Sequence, residues 1–543
     1  MHACRKTFDG TGETQPKELD HSFQQHRSGN FMRLRACSRF KQFATAFGEP
    51  SMKLSIEEIT LDHRIGKLKD WLAEPDRRLG HITSIDGNQL ITLVLDTNND
   101  AAQIWKTNLV EQSYRSVTPT IPQGHWFERT MWDMFGLFPE GHPRLKHNLL
   151  HEPYDPVFLP LSKTGATLTA PDHRQYHSMP VEGDGLFEIP VGPIHAGIIE
   201  PGHFRFSCLG EIIFNLEIRL GYVHRGVERR LVEVPWKNQR FVAEAAASDT
   251  VAANALAHAI ALESLLGVEI SPRADFLRSI SLEIERVAMH IADLGGLAGD
   301  IGFLAISSSF ARLRGAALRL GELIAGTRFQ RAFICPGGVV SDPTSRLMEI
   351  QKLARALKKD VDSVVDYFMS NQGTRDRMEN IGKVSQKLAG DFGLVGVAGR
   401  ASGIAYDARH HFKQGAYKEV ELPIAVETGG DVLSRAKVRI REIQSSIAII
   451  DELIDKIPPG DLMAQVPEKL SADEIGLAIV EGHRGELIHM VFTNSDGEVV
   501  RYAIKDPSVN NWTGLAIAVR RNLVADFPLC NKSFSLSYSG HDL

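Results

Sequence analysis

Cysteine is scarce. Cys4, Cys37, Cys208, Cys335 and Cys530 are the whole complement in 543 residues, and no two of them form a C-x-x-C pair. A disulfide framework or a disulfide-linked partner is therefore not expected, and a reducing cytoplasm fits. No four thiolates stand together to hold an iron–sulfur cluster. Long apolar runs are missing too: without one of roughly 18 residues, nothing reads as a membrane-spanning helix. The basic stretch MRLRACSRFK, residues 32–41, has no apolar segment beside it, so no secretory signal is read. Positive charge is not concentrated either. The net charge is −6 with no strongly basic block, which gives no surface for nucleic acid. No glycine-rich dinucleotide loop follows a strand. GLVGVAGRASG, residues 393–403, is a weak match, so any nicotinamide would bind another subunit.

What is present is an ordinary globular composition, 43% hydrophobic and 24% charged, with room for two or three domains. Residues 1–51 are polar and irregular. They are expected to be a disordered or non-native extension, with the fold, and the mature chain, beginning at Met52. Residues 52–150 read as an α+β module: a helix over Asp62–Leu72, then strands HITSI and QLITLVLDT around an Asp86-Gly87 turn. His125–Leu150 opens as an amphipathic helix carrying Trp126, Phe127, Met131, Trp132, Met134 and Phe135. Gly136, Gly141 and Pro143 break it, and such a stripe reads as core or docking surface. Residues 151–188, rich in Pro, Gly, Thr, Ser and His, lack periodicity and read as a linker laid along a surface.

The second domain, 189–543, opens on Pro190–Leu231, whose alternation and Gly-Pro and Pro-Gly turns predict paired strands. Glu200 and His203 stand three apart around a stiff Pro-Gly turn. A carboxylate and an imidazole so held can relay protons; the alternative is a solvated surface turn. Ala243–Leu266 reads as one alanine-rich helix buried on most sides. His258 on it is expected to be a core residue and Glu263 the partner of a cation. Pro272 starts the next helix, with Phe276, Ile280, Ile284, Val287, Ile291 and Leu294 as its apolar stripe. Further helices are expected over Ser308–Phe329, Pro343–Phe368 and Asp431–Ile454, with a Pro336-Gly337-Gly338 turn between the first two. Gly399–Arg409 reads as a loop with an Arg near each end. EGHRG, Glu481–Gly485, reads as a lead-in to strands LIHMVFT and VVRYAIK around an Asp496-Gly497 turn. The fold class is α+β: a small α+β module, then a mostly helical core with short β hairpins.

The motifs GPIH, EPGHFRF and GYVHRGVERR resemble the opening of the large subunit of membrane-bound nickel–iron hydrogenases of the formate hydrogenlyase type. They are also similar to the quinone-site subunit of respiratory complex I. Glu128, Arg129, Asp133, Met134, Phe135, Gly136, Gly141, His142 and Pro143 resemble the signature of the small hydrophilic complex I subunit beside it. The chain thus looks like a fusion of the two. In that family the small module binds no cofactor, which implies internal pairs for Glu128, Arg129 and His142. ASDTVAANALAHAIALE resembles the hydrogenase stretch C-G-x-C-x-x-x-H, anchored on the Glu that follows at Glu263. NKSFSLSYSGHDL is similar to the C-terminal N-K-S-F-D-P-C-Y-S-C-T-D-R. The four cysteine positions then fall on Ala247, Thr250, Ser537 and Gly540, and the His on Asn254.

Nickel and iron need soft thiolates, which none of these four side chains supplies. The resemblance, with these departures, implies no metal in this chain and no hydrogenase activity. Cys530, His541 and Asp542 near the C-terminus make only a weak metal motif. For a quinone, the complex I Tyr position carries Ser248, and His195 alone is kept from the first part of the G-P-x-H loop. What the resemblance keeps is Glu200, His203, Glu263 and Arg484, a candidate proton relay or pocket, Arg484 matching the Arg that lies over the metal ligands. The implied function is a peripheral-arm subunit of a complex I-like membrane oxidoreductase that couples redox chemistry to ion translocation at the cytoplasmic face of the inner membrane. The implied partners are an iron–sulfur small subunit, ferredoxin-like subunits and antiporter-like membrane subunits, with the clusters in those partners. Two alternatives stay open: electron transfer from NAD(P)H or ferredoxin to quinone at a remodelled pocket, and a non-enzymatic scaffold.

Overall fold

The run QLITLVLDT has no polar face, which predicts a strand covered on both sides. The computed structural model bears this out. It describes residues 41–42, 52–152, 154–155, 158–162, 176–195, 199–413 and 415–543. Strands β1 (Lys53–Glu58), β2 (Arg77–Ser84), β3 (Gln89–Asp96) and β4 (Ala101–Asn108) form one sheet in the order β1-β4-β3-β2. β1 pairs parallel with β4 and the others pair antiparallel; a two-residue strand, Lys41–Gln42, adds to the free edge of β1. On one face, Leu90 and Val94 pack with Leu68 and Trp71 of helix α1 (Leu61–Leu72) and Phe127 and Met131 of α2 (His125–Phe135). On the other face, Ile91, Leu93 and Leu95 pack against a second sheet from the far end of the chain.

That second sheet is β8 (Ile475–Gly482), β9 (Gly485–Thr493) and β10 (Val499–Lys505), antiparallel throughout. Ile475, Leu477, Ile479, Ile488 and Met490 meet the first sheet, while Ala478, Val480, Leu487 and Val491 turn to the helical core. The two-residue period of a strand splits the sequence between two cores. Burying each such aliphatic side chain contributes about 2 kcal/mol. Arg501 crosses the seam: its Nε donates to Ser84 O at 3.0 Å, and its Nη2 to Thr83 Oγ1 at 3.0 Å and Glu228 Oε2 at 2.8 Å. The expected module boundary is therefore a packed seam inside one unit that runs from Ser38 to Leu543.

Three strands, β5 (Leu186–Val191), β6 (His203–Leu209) and β7 (Ile212–Arg219), realise the pairing predicted for Pro190–Leu231. Helices α3 (Val251–Leu266), α4 (Pro272–Asp300), α5 (Leu304–Ala325) and α6 (Leu347–Ser370) follow, then the short α7 (Gly396–Ala401) and the long α8 (Val432–Lys456). Ser271 caps α4 by accepting from Ala274 N, and every residue of the predicted α4 stripe is buried. The tail forms α9 (Pro507–Ala518), α10 (Phe527–Phe534) and α11 (Tyr538–His541).

Several local expectations need correction. Ala243–Leu266 is not one helix: helix ends at Ala243, and residues 244–250 turn before α3 starts at Val251. Propensity favours helix through those alanines, but Asp249 and Thr250 are held by tertiary contacts described below. EGHRG leads into the expected hairpin of β9 and β10, and it is also a turn in its own right, with His483 and Arg484 between β8 and β9. The strand Ile475–Gly482 escapes a reading by pattern, because its IGLAIVEG sequence is apolar nearly throughout and shows no alternation. Gly399–Ala401 is helical, so Arg400 sits at the end of α7. Of the linker, Tyr176 and Met179 are tied down: Tyr176 Oη donates to Glu217 Oε1 at 2.8 Å and Met179 N to Glu217 Oε2 at 3.0 Å. Residues 163–175, all of the expected N-terminal extension except 41–42, and Ala196–Ile198 of the Pro-rich loop lie outside the described residues.

Candidate functional site

The 244–250 turn and the 535–540 tail, the two stretches aligned with the hydrogenase C-x-x-C pairs, meet around Arg484. Its Nη1 and Nη2 donate to Asp249 Oδ1 and Oδ2 at 2.7 and 2.6 Å, a bidentate pair. Nη1 also donates to Thr250 Oγ1 at 3.0 Å, and Nε donates to Ser535 O. One guanidinium thus joins both stretches. Burial pushes the Asp249 carboxyl up, but the Arg484 charge outweighs it and holds the group below the ordinary carboxylate range. The Arg484 guanidinium is in turn held above its ordinary value: Asp249 overcomes burial.

The four aligned positions carry no soft donor. Ala247 is fully buried and its carbonyl accepts from Thr250 N at 3.1 Å. Thr250 Oγ1 is engaged by Arg484. Ser537 Oγ accepts from Gly540 N at 2.9 Å and caps α11. A Cβ on Gly540 would lie 2.4 Å from Asp506 Oδ2, so the Asp506 carboxylate fills the space a cysteine would need there. Burial pushes Asp506 above the ordinary carboxylate range, with Arg484 opposing. The described cysteines do not reach in: Cys530 abuts Gly382 and Arg435, and Cys208 and Cys335 lie on other elements. These residues do not fit a nickel–iron centre, whose thiolate ligands none of them can replace.

Glu200 reaches the same tail: its Oε2 accepts from Tyr538 N at 3.2 Å and Ser539 N at 3.1 Å. Gly202 lets the chain pass there, since a Cβ would meet Tyr538 Cε1 at 2.4 Å. Glu200 and Arg484 are therefore brought to one segment. His203 and Glu263 are not. His203 sits at the start of β6 with its Nδ1 3.4 Å from Gly192 O. Glu263 lies twelve residues beyond Val251 on α3, roughly 18 Å along the helix axis. It accepts from Arg278 Nη1 at 3.1 Å and from Gly337 N at 2.7 Å, the cation partner expected for it. His195 turns its Nε2 to Gly202 O at 2.8 Å, while Ser248 is exposed beside Asp249. Asn254 bridges the pocket's edge and the sheet: its Nδ2 donates to Thr250 O at 2.7 Å and its Oδ1 meets His489 Nε2 at 3.2 Å.

In the small module, Glu128, Arg129 and His142 make internal contacts. Glu128 accepts from Val117 N at 2.9 Å and Thr118 Oγ1 at 2.7 Å. Arg129 donates to Lys146 O and His147 O at 2.6 and 2.9 Å. His142 stacks on His125 at 5.1 Å. Reading the sequence missed Asp249, Asp506 and Glu285. Asp249 had a signal, an acid in an alanine-rich stretch and next to an aligned ligand position. Glu285 is buried on α4, accepts from Ala252 N at 2.6 Å and Ala253 N at 3.2 Å, and is pushed up to about 7 by burial.

Sheet, bundle and pocket together define a fused two-module subunit of the complex I type. Residues 65–168 match the family described as Respiratory-chain NADH dehydrogenase, 30 Kd subunit, and residues 300–475 match the 49 Kd subunit family. The chain is 30% identical to Formate hydrogenlyase subunit 5 of Escherichia coli (strain K12) over 475 residues, 84% of this chain and 82% of that one. It is 28% identical to the fused C/D subunit of the NADH-quinone oxidoreductase of Phocaeicola vulgatus, covering 84% of this chain and 91% of that one. It is 30% identical to Membrane-bound hydrogenase subunit alpha of Pyrococcus furiosus, covering 62% of this chain and 83% of that one. The chain belongs to this family of hydrogenase large subunits and fused NADH-quinone oxidoreductase C/D subunits. Among the described residues, no helix is long and apolar enough to cross a membrane.

Proposed function

We propose that the chain is a peripheral-arm subunit of a membrane oxidoreductase complex that couples redox chemistry to ion translocation, without a nickel–iron site of its own. The observation that supports this reading is the Arg484–Asp249 pair, which occupies the junction of the two aligned ligand stretches. An ion pair and a serine cap give that junction a cross-link that needs no metal. Redox centres then belong to partners: an iron–sulfur small subunit and ferredoxin-like subunits, with antiporter-like membrane subunits below them. Glu200, Arg484 and Asp249 are the groups of this chain that would order the remaining pocket, Glu200 by holding the tail and Arg484 by bridging it to the 244–250 turn.

The test is the composition of the complex that a tagged chain carries out of gently solubilised membranes. Iron–sulfur and antiporter-like subunits with no stoichiometric nickel is the expected result. Stoichiometric nickel, or a chain that comes out with neither kind of partner, overturns it. Quinone reduction by that complex, abolished in Ser248→Trp, would instead favour electron transfer to quinone at the exposed Ser248 face.

A further inference from the structure

The small module leaves a strand edge open. Ser113–Arg115 pairs parallel with Phe138–Glu140 and with no other strand among the described residues. Phe138 N donates to Gln112 O at 2.8 Å and Ser116 N to Glu140 O at 2.9 Å, so the even-numbered residues serve this ladder. Backbone donors and acceptors alternate sides along a strand. The N–H and C=O of Ser113 and Arg115 therefore point the other way, where no strand meets them. Tyr114 turns its ring into the core, where the Arg64 guanidinium lies 5.5 Å from the ring centroid. Ser113 and Arg115 thus carry their side chains on the outer face.

A groove of about 720 Å³ lies between this strand and the start of α1. Leu61, Ile65 and Val110 give it apolar walls, and Val110 is fully exposed. Asp62, Glu111 and Glu140 stand exposed around them. Among the described residues, none of these three carboxylates pairs with a cation, and Arg115 is the one cation in the lining. The neighbouring bases of α1 are turned elsewhere: His63 meets Thr60 Oγ1 at 2.9 Å and Lys67 pairs with Glu57. An open edge beside exposed apolar side chains is a template for another strand. Three free carboxylates select a basic one.

We propose that this groove takes an extended, basic segment of a partner subunit, added as a strand along Ser113–Arg115. Its main chain meets the open N–H and C=O of Ser113 and Arg115, as in strand addition to a free sheet edge. The two-residue period then sorts its side chains. Apolar ones lie on Leu61, Ile65 and Val110, and Lys or Arg reaches Asp62, Glu111 and Glu140. Two residues of open backbone call for a second main chain, which a free small cation does not supply.

A partner subunit presupposes the complex proposed above, so the test has one arm that does not. That arm is fluorescence anisotropy of a labelled pentapeptide of alternating Arg and Val against the full chain, with a Glu and Val pentapeptide as control. Binding of the Arg peptide, with the Glu peptide left free, is expected. Asp62→Lys together with Glu111→Lys should weaken it about tenfold or more. Ser113→Pro, which removes an open-edge N–H and spares the ladder, should weaken it about fivefold. Bound peptide should slow hydrogen exchange at Ser113 and Arg115. No binding of the Arg peptide, equal binding of both peptides, binding indifferent to the two lysines, or unchanged exchange at Ser113 and Arg115 overturns the groove.

In the second arm, Val110→Cys carries a benzophenone photo-cross-linker in the complex drawn from membranes. A cross-link to a partner segment with Lys or Arg at alternate positions is expected. Cross-links to lipid, to a second copy of this chain or to no subunit of an assembled complex overturn the partner and leave the proposed function standing. A chain that comes out alone overturns the proposed function, and the peptide arm then decides the groove by itself.

Discussion

Replacing Arg484 by Gln removes the one side chain that holds the 244–250 turn and the 535–540 tail together. The loss is three donors to side chains and one to a backbone carbonyl. Breaking a buried ion pair from one side costs about 3–5 kcal/mol. Asp249 keeps 36% of its side chain open to solvent, so water recovers part of that cost. A discounted loss of about 2–3 kcal/mol is expected. A chain of this size need not unfold in one step, so the assay is local: hydrogen exchange of the amides of Ser537, Tyr538, Ser539 and Gly540, which are bonded to Ser508 Oγ, Glu200 Oε2 (twice) and Ser537 Oγ and hold the tail in place. At about 1.4 kcal/mol per decade, those amides should exchange roughly 30- to 150-fold faster in the variant. Asp249→Asn should give part of the same effect, and the double variant should fall short of the sum. The pair also sets a pH limit. The folded carboxyl lies below its ordinary value, so its contribution is full above that value and is lost as pH falls through the folded one. Tail exchange that is unchanged in Arg484→Gln would refute the reasoning that this pair is the cross-link of the pocket.

Other outcomes follow from single contacts. Glu285, pushed up to about 7 by burial, leaves the fold at full stability below the ordinary carboxylate value, and stability falls as pH rises from there to about 7; Glu285→Gln should therefore flatten the fall of the thermal midpoint expected of the parent chain between roughly pH 5 and pH 7. Restoring four cysteines at Ala247, Thr250, Ser537 and Gly540 should not load nickel by elemental analysis, because the Cβ at 540 meets Asp506 at 2.4 Å and Arg484 fills the junction; stoichiometric nickel in that variant would contradict the closed pocket. Gly396 has φ +60° and a Cβ there would lie 1.9 Å from Arg484 O, so Gly396→Ala should cost several kcal/mol, about 3 or more, in a denaturation midpoint followed on this domain. Arg501→Ala strands Glu228 and empties the seam between the two sheets, at about 3 kcal/mol, read as faster exchange in β2 and β10.

The scaffold was legible wherever local pattern and tertiary environment agree. The α4 stripe, the Asp86-Gly87 hairpin and the capped start at Pro272 each follow from spacing that survives packing. The pocket was legible only through resemblance, and there only as a set of missing ligands. Its actual content is a long-range fact: Arg484 meets Asp249 across 235 positions of chain, and no local rule pairs them. The same tertiary contacts explain the failed helix at 244–250. Alanine favours helix, but a continuous helix would carry Asp249 and Thr250 on around the axis, away from a fixed guanidinium on the β8–β9 turn. The turn releases them to it, and it leaves the amides of Ala252 and Ala253 at the new α3 start to be met by Glu285. A covalent metal cross-link can hold two chain stretches against their local preferences. Where the ligand positions carry Ala, Thr, Ser and Gly, that duty falls to an ion pair and a buried helix-capping acid, both of which titrate. The physical consequence is that the order of this pocket depends on pH, through Glu285 near neutrality and through Asp249 in acid.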